Sequence, residues 1–271
     1  MCVRSRLFSL GLLAWGCAPA ATAPADPPAA NEPIVDAAGA PADDDAASKS
    51  EAESDSEGAP AGPQGAAPEH VHLDINEPYQ ENQDAKQWSR RFENKRREVA
   101  ARQPEILAAL AVKPGQVVAD VGAGTGLYTL PLAEAVGAEG TVYAVDVQAY
   151  FLDHVAKKAK DAGHEHVKLV RAKQDSSGLP EASVDLVLMV DAYHHIEHPA
   201  AYLASLHAAL RPDGRLVIVD YRREGGDSWR HDHIRATPEQ FRAEIESAGF
   251  ELKSNHEGLL EENFMFEFQR R

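Results

Sequence analysis

A run of alternating glycines between two acidic residues carries the clearest chemistry in this sequence. Asp120 ends an apolar, valine-rich run, and Gly122, Gly124 and Gly126 follow it at two-residue steps. Because glycine has no Cβ, such a turn can bring backbone N–H groups close to a ligand. A second carboxylate, Asp146, ends the next apolar run. We therefore predict a nucleotide-like ligand over the glycine turn, with its ribose hydroxyls bound by Asp146.

The spacing of the glycines narrows the choice of ligand. Dinucleotide-binding folds use G-x-G-x-x-G, whereas this chain has D-V-G-A-G-T-G. Together with Asp146, this motif resembles the first two motifs of the Rossmann-like S-adenosylmethionine (SAM)-dependent methyltransferases, and most closely their broad UbiE-like group. The resemblance covers roughly Trp88 to the C-terminus. It implies SAM as the cofactor, with its methionine part over a loop formed by Asp120, Gly122, Gly124 and Gly126.

The same resemblance suggests an adenine contact. Relatives commonly carry an acid just after the third strand, where this chain reads Arg171-Ala-Lys-Gln-Asp175. Asp175 is the candidate, although the natural alignment puts Lys173 at the position of the acid.

A second polar cluster follows the predicted fourth strand, in V-D-A-Y-H-H-I-E. The carboxyl edge of a doubly wound sheet is where ligands bind, and the run resembles the post-strand motif of small-molecule methyltransferases. We predict that Asp191 borders the cofactor and the transferring methyl group, and that Tyr193 and His195 line the acceptor site. His194 is the candidate general base for an oxygen or nitrogen nucleophile. Alternatively, one of the two histidines, His194 or His195, caps the next helix and the other only packs against its neighbours.

The segment from Tyr221 to Arg235 is rich in hydrogen-bond donors and lies after the predicted fifth strand. Arginine and histidine side chains there could bind an anionic acceptor; the alternative is a solvated loop. The candidate residues for binding this acceptor are Arg222, His231 and His233.

Metal binding is not predicted. Two groups of histidines lie close together in the sequence, but neither has the spacing of a recognised zinc motif. They are His194, His195 and His198, and the pair His231-x-His233. The two cysteines, Cys2 and Cys17, both lie near the N-terminus, so they offer the folded part neither a disulfide framework nor a thiolate site.

Regular alternation of strand and helix patterns must position these residues. It predicts an α/β fold with a doubly wound, mostly parallel seven-stranded sheet whose last strand is antiparallel. Val184–Val190 is a continuous apolar run, typical of a strand covered on both faces. Thr237-Pro-Glu-Gln240 predicts a capped helix start. Ahead of the sheet, a polar helix is predicted over residues 81–101, with Trp88 or Phe92 over the cofactor or, alternatively, against the sheet.

Three segments are predicted along the chain. Residues 1–17 combine a basic start with a short apolar stretch that ends at Cys17 and resembles a lipoprotein signal. Cleavage after Ala20, or an ordinary N-terminus of a cytoplasmic protein, is the alternative. Residues 18–80 are rich in Ala, Pro and acids and are predicted to be a disordered linker. Residues 81–271 form the methyltransferase domain.

Charge and motifs together favour one function. The formal net charge of −16 argues against a nucleic-acid partner, because neutralising phosphates requires Lys and Arg. We predict transfer of a methyl group from SAM, by in-line displacement, to an O, N or C nucleophile of a small or lipid-like acceptor. The predicted location is the cell envelope, with a membrane tether through lipidated Cys17. The alternatives are a non-catalytic SAM-binding envelope lipoprotein and an NAD-dependent oxidoreductase.

Overall fold

The computed structural model describes residues 65–68, 70–71, 74–224 and 228–271. The predicted signal at 1–17 and the linker up to residue 64 lie outside the described residues. Among the residues it describes, no helix combines the length and the apolar character needed to cross a membrane.

A single seven-stranded sheet organises the domain, in the order β3-β2-β1-β4-β5-β7-β6. Strands β1 to β5 pair in parallel, while β7 runs antiparallel to both β5 and β6. The predicted fold, including its antiparallel last strand, is confirmed. The strands are β1 (Val117–Val121), β2 (Thr141–Asp146), β3 (Val167–Arg171), β4 (Val184–Val190), β5 (Leu210–Tyr221), β6 (Phe250–Asn255) and β7 (Asn263–Arg270).

Helices precede the sheet and connect its strands. Short 3-10 turns form at Asp74–Asn76 and Tyr193–His195. The α-helices of the described residues are α1 (Glu77–Glu81), α2 (Ala85–Phe92), α3 (Glu98–Ala101), α4 (Gln103–Leu110), α5 (Thr129–Val136), α6 (Ala149–Asp161), α7 (Pro199–Ala209), α8 (Ser228–His233) and α9 (Pro238–Ser247).

Both faces of the central strands are buried. In β5, Leu216 and Ile218 pack into the apolar cluster on one face, whereas Val217 and Val219 pack into the cluster on the other. This alternation follows from the two-residue period of a strand. It leaves the ends of the strands as the place where polar groups can collect.

The region ahead of the sheet differs from its prediction. The helix predicted over 81–101 is two shorter helices, because the side chain of Asp84 accepts the N–H groups of Lys86 and Gln87 and starts α2 there, while residues 93–97 turn before α3. Residues 74–80, assigned to the linker, form a 3-10 turn and most of α1. The ring of Tyr79 packs 4.8 Å from that of Trp88, so this stretch packs on the domain.

Candidate active site

A cavity of about 610 Å³ opens where β1, β2 and β4 end. Carboxyl ends of parallel strands meet at one edge of the sheet, so acids that end different strands are brought together there. The volume lies within the usual range of small-molecule sites. The lining includes these predicted residues: Asp120, Gly122, Gly124, Asp146, Asp191, His194, His195 and His233.

The glycine turn has the close approach that its sequence predicted. Gly122 has a φ of +75°, and a Cβ there would lie 2.5 Å from the Cβ of Ala192. Gly124 has a φ of +50° and also lines the cavity. Gly126 does not line it; a Cβ there would lie 3.2 Å from Val155 on α6. The first two glycines therefore shape the ligand site, and the third allows α6 to pack.

Asp146 is held at the end of β2 by backbone donors. Its Oδ2 accepts the N–H of Gly124 at 2.8 Å, and its Oδ1 accepts the N–H of Gln148 at 2.8 Å. Burial raises the pKa of Asp146 to about 6. The carboxylate is fixed beside the glycine turn, and its remaining lone pairs suit ribose hydroxyls, the role predicted for it.

Asp120 joins β1 to α5. The hydroxyl of Thr129 donates to its Oδ2 at 2.6 Å, and burial raises the pKa of Asp120 to about 7. This contact ties the end of β1 to the start of α5, on either side of the glycine turn.

Aromatic residues from α1 and α2 lie over the glycine turn. Phe92 lines the cavity, and its ring would touch a Cβ on Gly124 at 3.4 Å. Trp88 does not line the cavity; it packs behind Phe92, with ring centroids 5.3 Å apart. Tyr79 completes the cover from the stretch assigned to the linker. The cover predicted from Trp88 or Phe92 is therefore made by Phe92.

Asp191 sits at the centre of a charged cluster that the sequence did not indicate. Its φ is +48°. One carboxylate oxygen accepts from Arg97 and the other from the Asn263 amide, each at 2.6 Å. Burial raises the pKa of Asp191 to about 7, against the opposing charge of Arg97. Asp191 lines the cavity as predicted, held by both partners.

His194 forms a buried pair with Asp220 at the same edge. Its Nδ1 lies 2.6 Å from Asp220 Oδ1, and its backbone N–H donates to Oδ2 at 3.1 Å. Burial lowers the pKa of His194 well below its usual value and raises that of Asp220. Asp220 was missed, although it had a signal: it follows the apolar run of β5, as Asp120 and Asp146 follow theirs.

The side chains of the two residues next to His194 in the chain point in different directions. His195 lines the cavity, and its Nδ1 lies 2.8 Å from Asn76 Oδ1. Tyr193, predicted to line the acceptor site, instead points into the core, with its ring 5.2 Å from that of Phe241 and its hydroxyl 3.2 Å from Glu244. The 3-10 turn sends Tyr193 to one side and both histidines to the other, which corrects that assignment.

The assignment of Asp175 as the adenine contact is also corrected. It is exposed and does not line the cavity, whereas Gln174 does. Lys173 and Ser176 bridge a tight turn, and within this turn Gln174 reaches the cavity while Asp175 faces solvent.

One of the three candidates in the donor-rich segment reaches the cavity. His233, on α8, lines it beside His194 and His195. Arg222 instead donates to the carbonyl of Asn263 at 3.1 Å, and His231 is exposed. Neither lines the cavity, so both assignments are corrected. Residues 225–227 of this segment lie outside the described residues.

Comparisons with known proteins point to one class. The family model described as a methyltransferase domain matches residues 119–218. The demethylmenaquinone methyltransferase of Anoxybacillus flavithermus is 30% identical over 125 residues, covering 46% of this chain and 52% of that protein. The ubiquinone/menaquinone biosynthesis C-methyltransferase UbiE of Marinomonas sp. is 27% identical over 113 residues, covering 41% of this chain and 45% of that protein. The chain thus spans about half the length of the curated relatives it matches.

A solved structure agrees with these matches. The crystal structure of a SAM-dependent methyltransferase from Aquifex aeolicus is 26% identical, with a TM-score of 0.51, and covers 62% of this chain and 87% of that one. Residues 119–218 thus match a methyltransferase domain, the sheet has the fold of a solved SAM-dependent methyltransferase, and this likeness implies SAM as the cofactor. The predicted class is confirmed, and the nicotinamide-dependent alternative is disfavoured.

Proposed function

We propose that the protein transfers a methyl group from SAM to a small-molecule acceptor bound beside His194. The observation that carries the proposal is a single cavity lined by Asp146, by Gly122 and Gly124, and by His194, whose Nδ1 contacts the buried Asp220. A candidate nucleoside site and a candidate proton acceptor thus share one cavity.

The cofactor half of the cavity suits a cationic nucleoside. Asp146 offers a carboxylate to the two ribose hydroxyls, and Gly122 and Gly124 leave room for the ligand against the backbone. Asp120 and Asp191 add carboxylates at the same edge, and negative groups favour a bound sulfonium. Phe92 and Tyr79 would exclude water from the reacting atoms.

The acceptor half offers a base. Asp220 accepts two backbone N–H groups, from His194 and Tyr221, so it acts as the acceptor in its contact with the imidazole. His194 Nδ1 then carries the proton, and Nε2 has a free lone pair. Bound SAM would supply an electrophilic methyl group, and Nε2 of His194 would be placed to take the proton of the acceptor. Positioning itself can contribute roughly 7 to 11 kcal/mol.

A quinone-like ring is the acceptor class we favour. Two of the curated relatives are named as methyltransferases of menaquinone or ubiquinone biosynthesis. Aromatic side chains of the lining, Tyr79, Phe92, Phe151 and Trp229, suit a planar ring. An acidic hydroxyl on such a ring would give His194 a proton to remove and leave an electron-rich oxygen or carbon as the nucleophile.

A turnover assay tests the proposal. Purified protein would be incubated with SAM and a panel of hydroquinones and phenols, and release of S-adenosylhomocysteine would be measured. We expect His194→Gln to lower kcat about 10²- to 10⁴-fold, the usual contribution of a general base, with little change in the Kd of SAM. His231→Gln, an exposed histidine outside the cavity, is the matched control. Equal loss in both variants, or none in either, would contradict the role of His194.

We further propose that the domain works in the cell envelope, tethered through a lipidated Cys17. The support is the sequence of residues 1–17 alone, with its two arginines, short apolar stretch and terminal cysteine. Mass spectrometry of the mature N-terminus tests this: a diacylated cysteine is expected, and a retained Met1 on cytoplasmic protein would refute the proposal.

A further inference from the structure

Three histidines of the cavity lie together, although they come from two separate parts of the chain. The ring centroids of His194 and His195 are 4.1 Å apart, and that of His233 lies 5.2 Å and 5.4 Å from them. One ring nitrogen of each residue lies within 4.8 Å of the other two. Spacing along the chain gave no such indication, because two ligands come from the turn after β4 and the third from α8.

Hydrogen bonds fix the proton of His194 away from the centre of this cluster. Its Nδ1 lies 2.6 Å from Oδ1 of Asp220, whose two oxygens also accept the backbone N–H groups of His194 and Tyr221, so with Asp220 ionised Nδ1 is the donor. Nε2 therefore carries a lone pair. A histidine whose Nδ1–H is held by a carboxylate is the usual arrangement of a metal ligand and its supporting residue.

His195 is oriented in the same way by a different partner. The Nδ2 of Asn76 donates to Glu197 at 2.7 Å and to the carbonyl of His195 at 3.1 Å. These bonds settle which atom of the amide is oxygen, and that oxygen lies 2.8 Å from His195 Nδ1. Nδ1 must therefore carry the proton. Two successive residues thus both present an unprotonated Nε2.

Metal binding requires an unprotonated ring nitrogen from each ligand, and the contacts of Nδ1 in His194 and His195 leave Nε2 of both residues for this purpose. The arginines whose charges act on His194 are themselves paired. Arg97 contacts Asp191 at 2.6 Å, and Arg235 contacts both oxygens of Glu244 at 2.8 Å.

We propose that His194, His195 and His233 bind one divalent transition-metal ion of the Zn²⁺ type, with a further coordination position open to the cavity. Three histidines with one open position form a known catalytic arrangement for zinc. At Zn–N distances near 2.0–2.1 Å, tetrahedral ligand nitrogens lie about 3.3 Å apart, so the cluster must contract from its present spread. His233 is half-buried on the short helix α8, so it is the ligand that we expect to shift on binding.

Such an ion would replace the general-base role proposed above for His194, because Nε2 of His194 would be bound to the metal. With Nε2 of His194 on the metal, the open position would bind an acceptor oxygen or sulfur and favour its deprotonated form. This consequence rests on the proposed function, whereas metal binding itself does not. The experiment therefore reads metal and SAM binding separately.

Zinc binding to the full chain tests the proposal. Protein stripped with a chelator would be titrated with Zn²⁺ by calorimetry, and Co²⁺ would report a tetrahedral site through its visible absorption. We expect one tight equivalent in the wild type. His233→Ala should weaken Zn²⁺ binding at least 100-fold through loss of a ligand, and Asp220→Asn about 10- to 100-fold through loss of orientation. His231→Ala, two residues away on α8, should leave binding unchanged.

The outcomes separate the two claims. The metal site is overturned if no tight equivalent of Zn²⁺ binds, or if the wild type and His233→Ala bind Zn²⁺ with equal affinity. Equal affinity would also result if Zn²⁺ bound only between His164 and His166, whose rings lie next to each other. The Kd of SAM is measured on the same samples. If SAM binds and Zn²⁺ does not, only this inference fails; if Zn²⁺ binds and SAM does not, only the proposed function fails. Circular dichroism checks that each variant is folded.

Discussion

Replacing Asp146 with asparagine should separate cofactor binding from folding. The carboxylate accepts backbone N–H groups from Gly124 and Gln148. Asparagine keeps the shape but loses the charge, and its NH₂ group faces one of these donors. The structure therefore allows the effect on stability and the effect on SAM to be worked out independently.

The effect on stability should be small. Burial raises the pKa of Asp146 from 3.8 to about 6, so its charged form costs about 3 kcal/mol at neutral pH. Asparagine removes that cost but leaves a buried N–H without its acceptor, which costs about 1–3 kcal/mol. Because these effects oppose each other, we expect the free energy of unfolding of the ligand-free protein to change by less than about 2 kcal/mol.

The effect on SAM should be large. Hydrogen bonds to a charged acceptor contribute about 1.5–3 kcal/mol each, and the ribose offers two hydroxyls. A net loss of about 2–3 kcal/mol raises the Kd roughly 30- to 150-fold. The wild type should also bind SAM more weakly as the pH falls below about 6, where Asp146 takes up a proton. Asp146→Asn should lack this part of the pH dependence.

Calorimetry and chemical denaturation, run on the same samples, provide the assay. Asp153→Asn is the matched control, because Asp153 is exposed on α6, which starts just after Asp146. Wild-type affinity in Asp146→Asn would refute the ribose assignment. A fall in affinity matched by a collapse in stability would show that the role of Asp146 is structural.

Three further changes test other parts of the site. Gly122→Ala should destabilise the domain by about 2–4 kcal/mol in urea denaturation, because it combines a positive φ with a 2.5 Å clash. Gly163→Ala, with the same φ of +75° but open space around the added Cβ, should cost about 1 kcal/mol, and equal costs would contradict the clash. Asp191→Asn should cost at most about 2 kcal/mol, because loss of the charge partner of the largely buried Arg97 is offset by removal of a carboxylate whose pKa burial raises to about 7. A loss of about 3–5 kcal/mol in urea denaturation, as for a fully buried pair, would contradict this. Glu98→Gln should cost about 1–3 kcal/mol, since this carboxylate accepts the N–H groups of residues 261–263, and retained thermal stability would show that these bonds contribute nothing.

Local patterns made much of the fold predictable. Strands such as β4 could be predicted from their continuous apolar residues, and the glycine turn could be predicted from the spacing of its glycines. Thr237 and Gln240 form the capping box that their spacing predicted, with both bonds present. Each of these features depends on residues close together in the chain, where period and backbone preference decide the structure.

The supporting contacts of the site could not be predicted, because they join distant residues. Arg97 and Asp191 are 94 positions apart, and Asn76 and His195 are 119 apart. Asn76 also lies in a polar stretch whose composition resembles a linker. The side chain of Tyr193 points into the core because of a 3-10 turn, which could not be predicted from the sequence motif.

Equilibrium binding of SAM to the purified full chain tests the central claim most directly. We expect one equivalent of SAM or S-adenosylhomocysteine to bind in the micromolar range, with no binding of NAD in the same titration. An absence of binding by both SAM and its demethylated product would contradict the account.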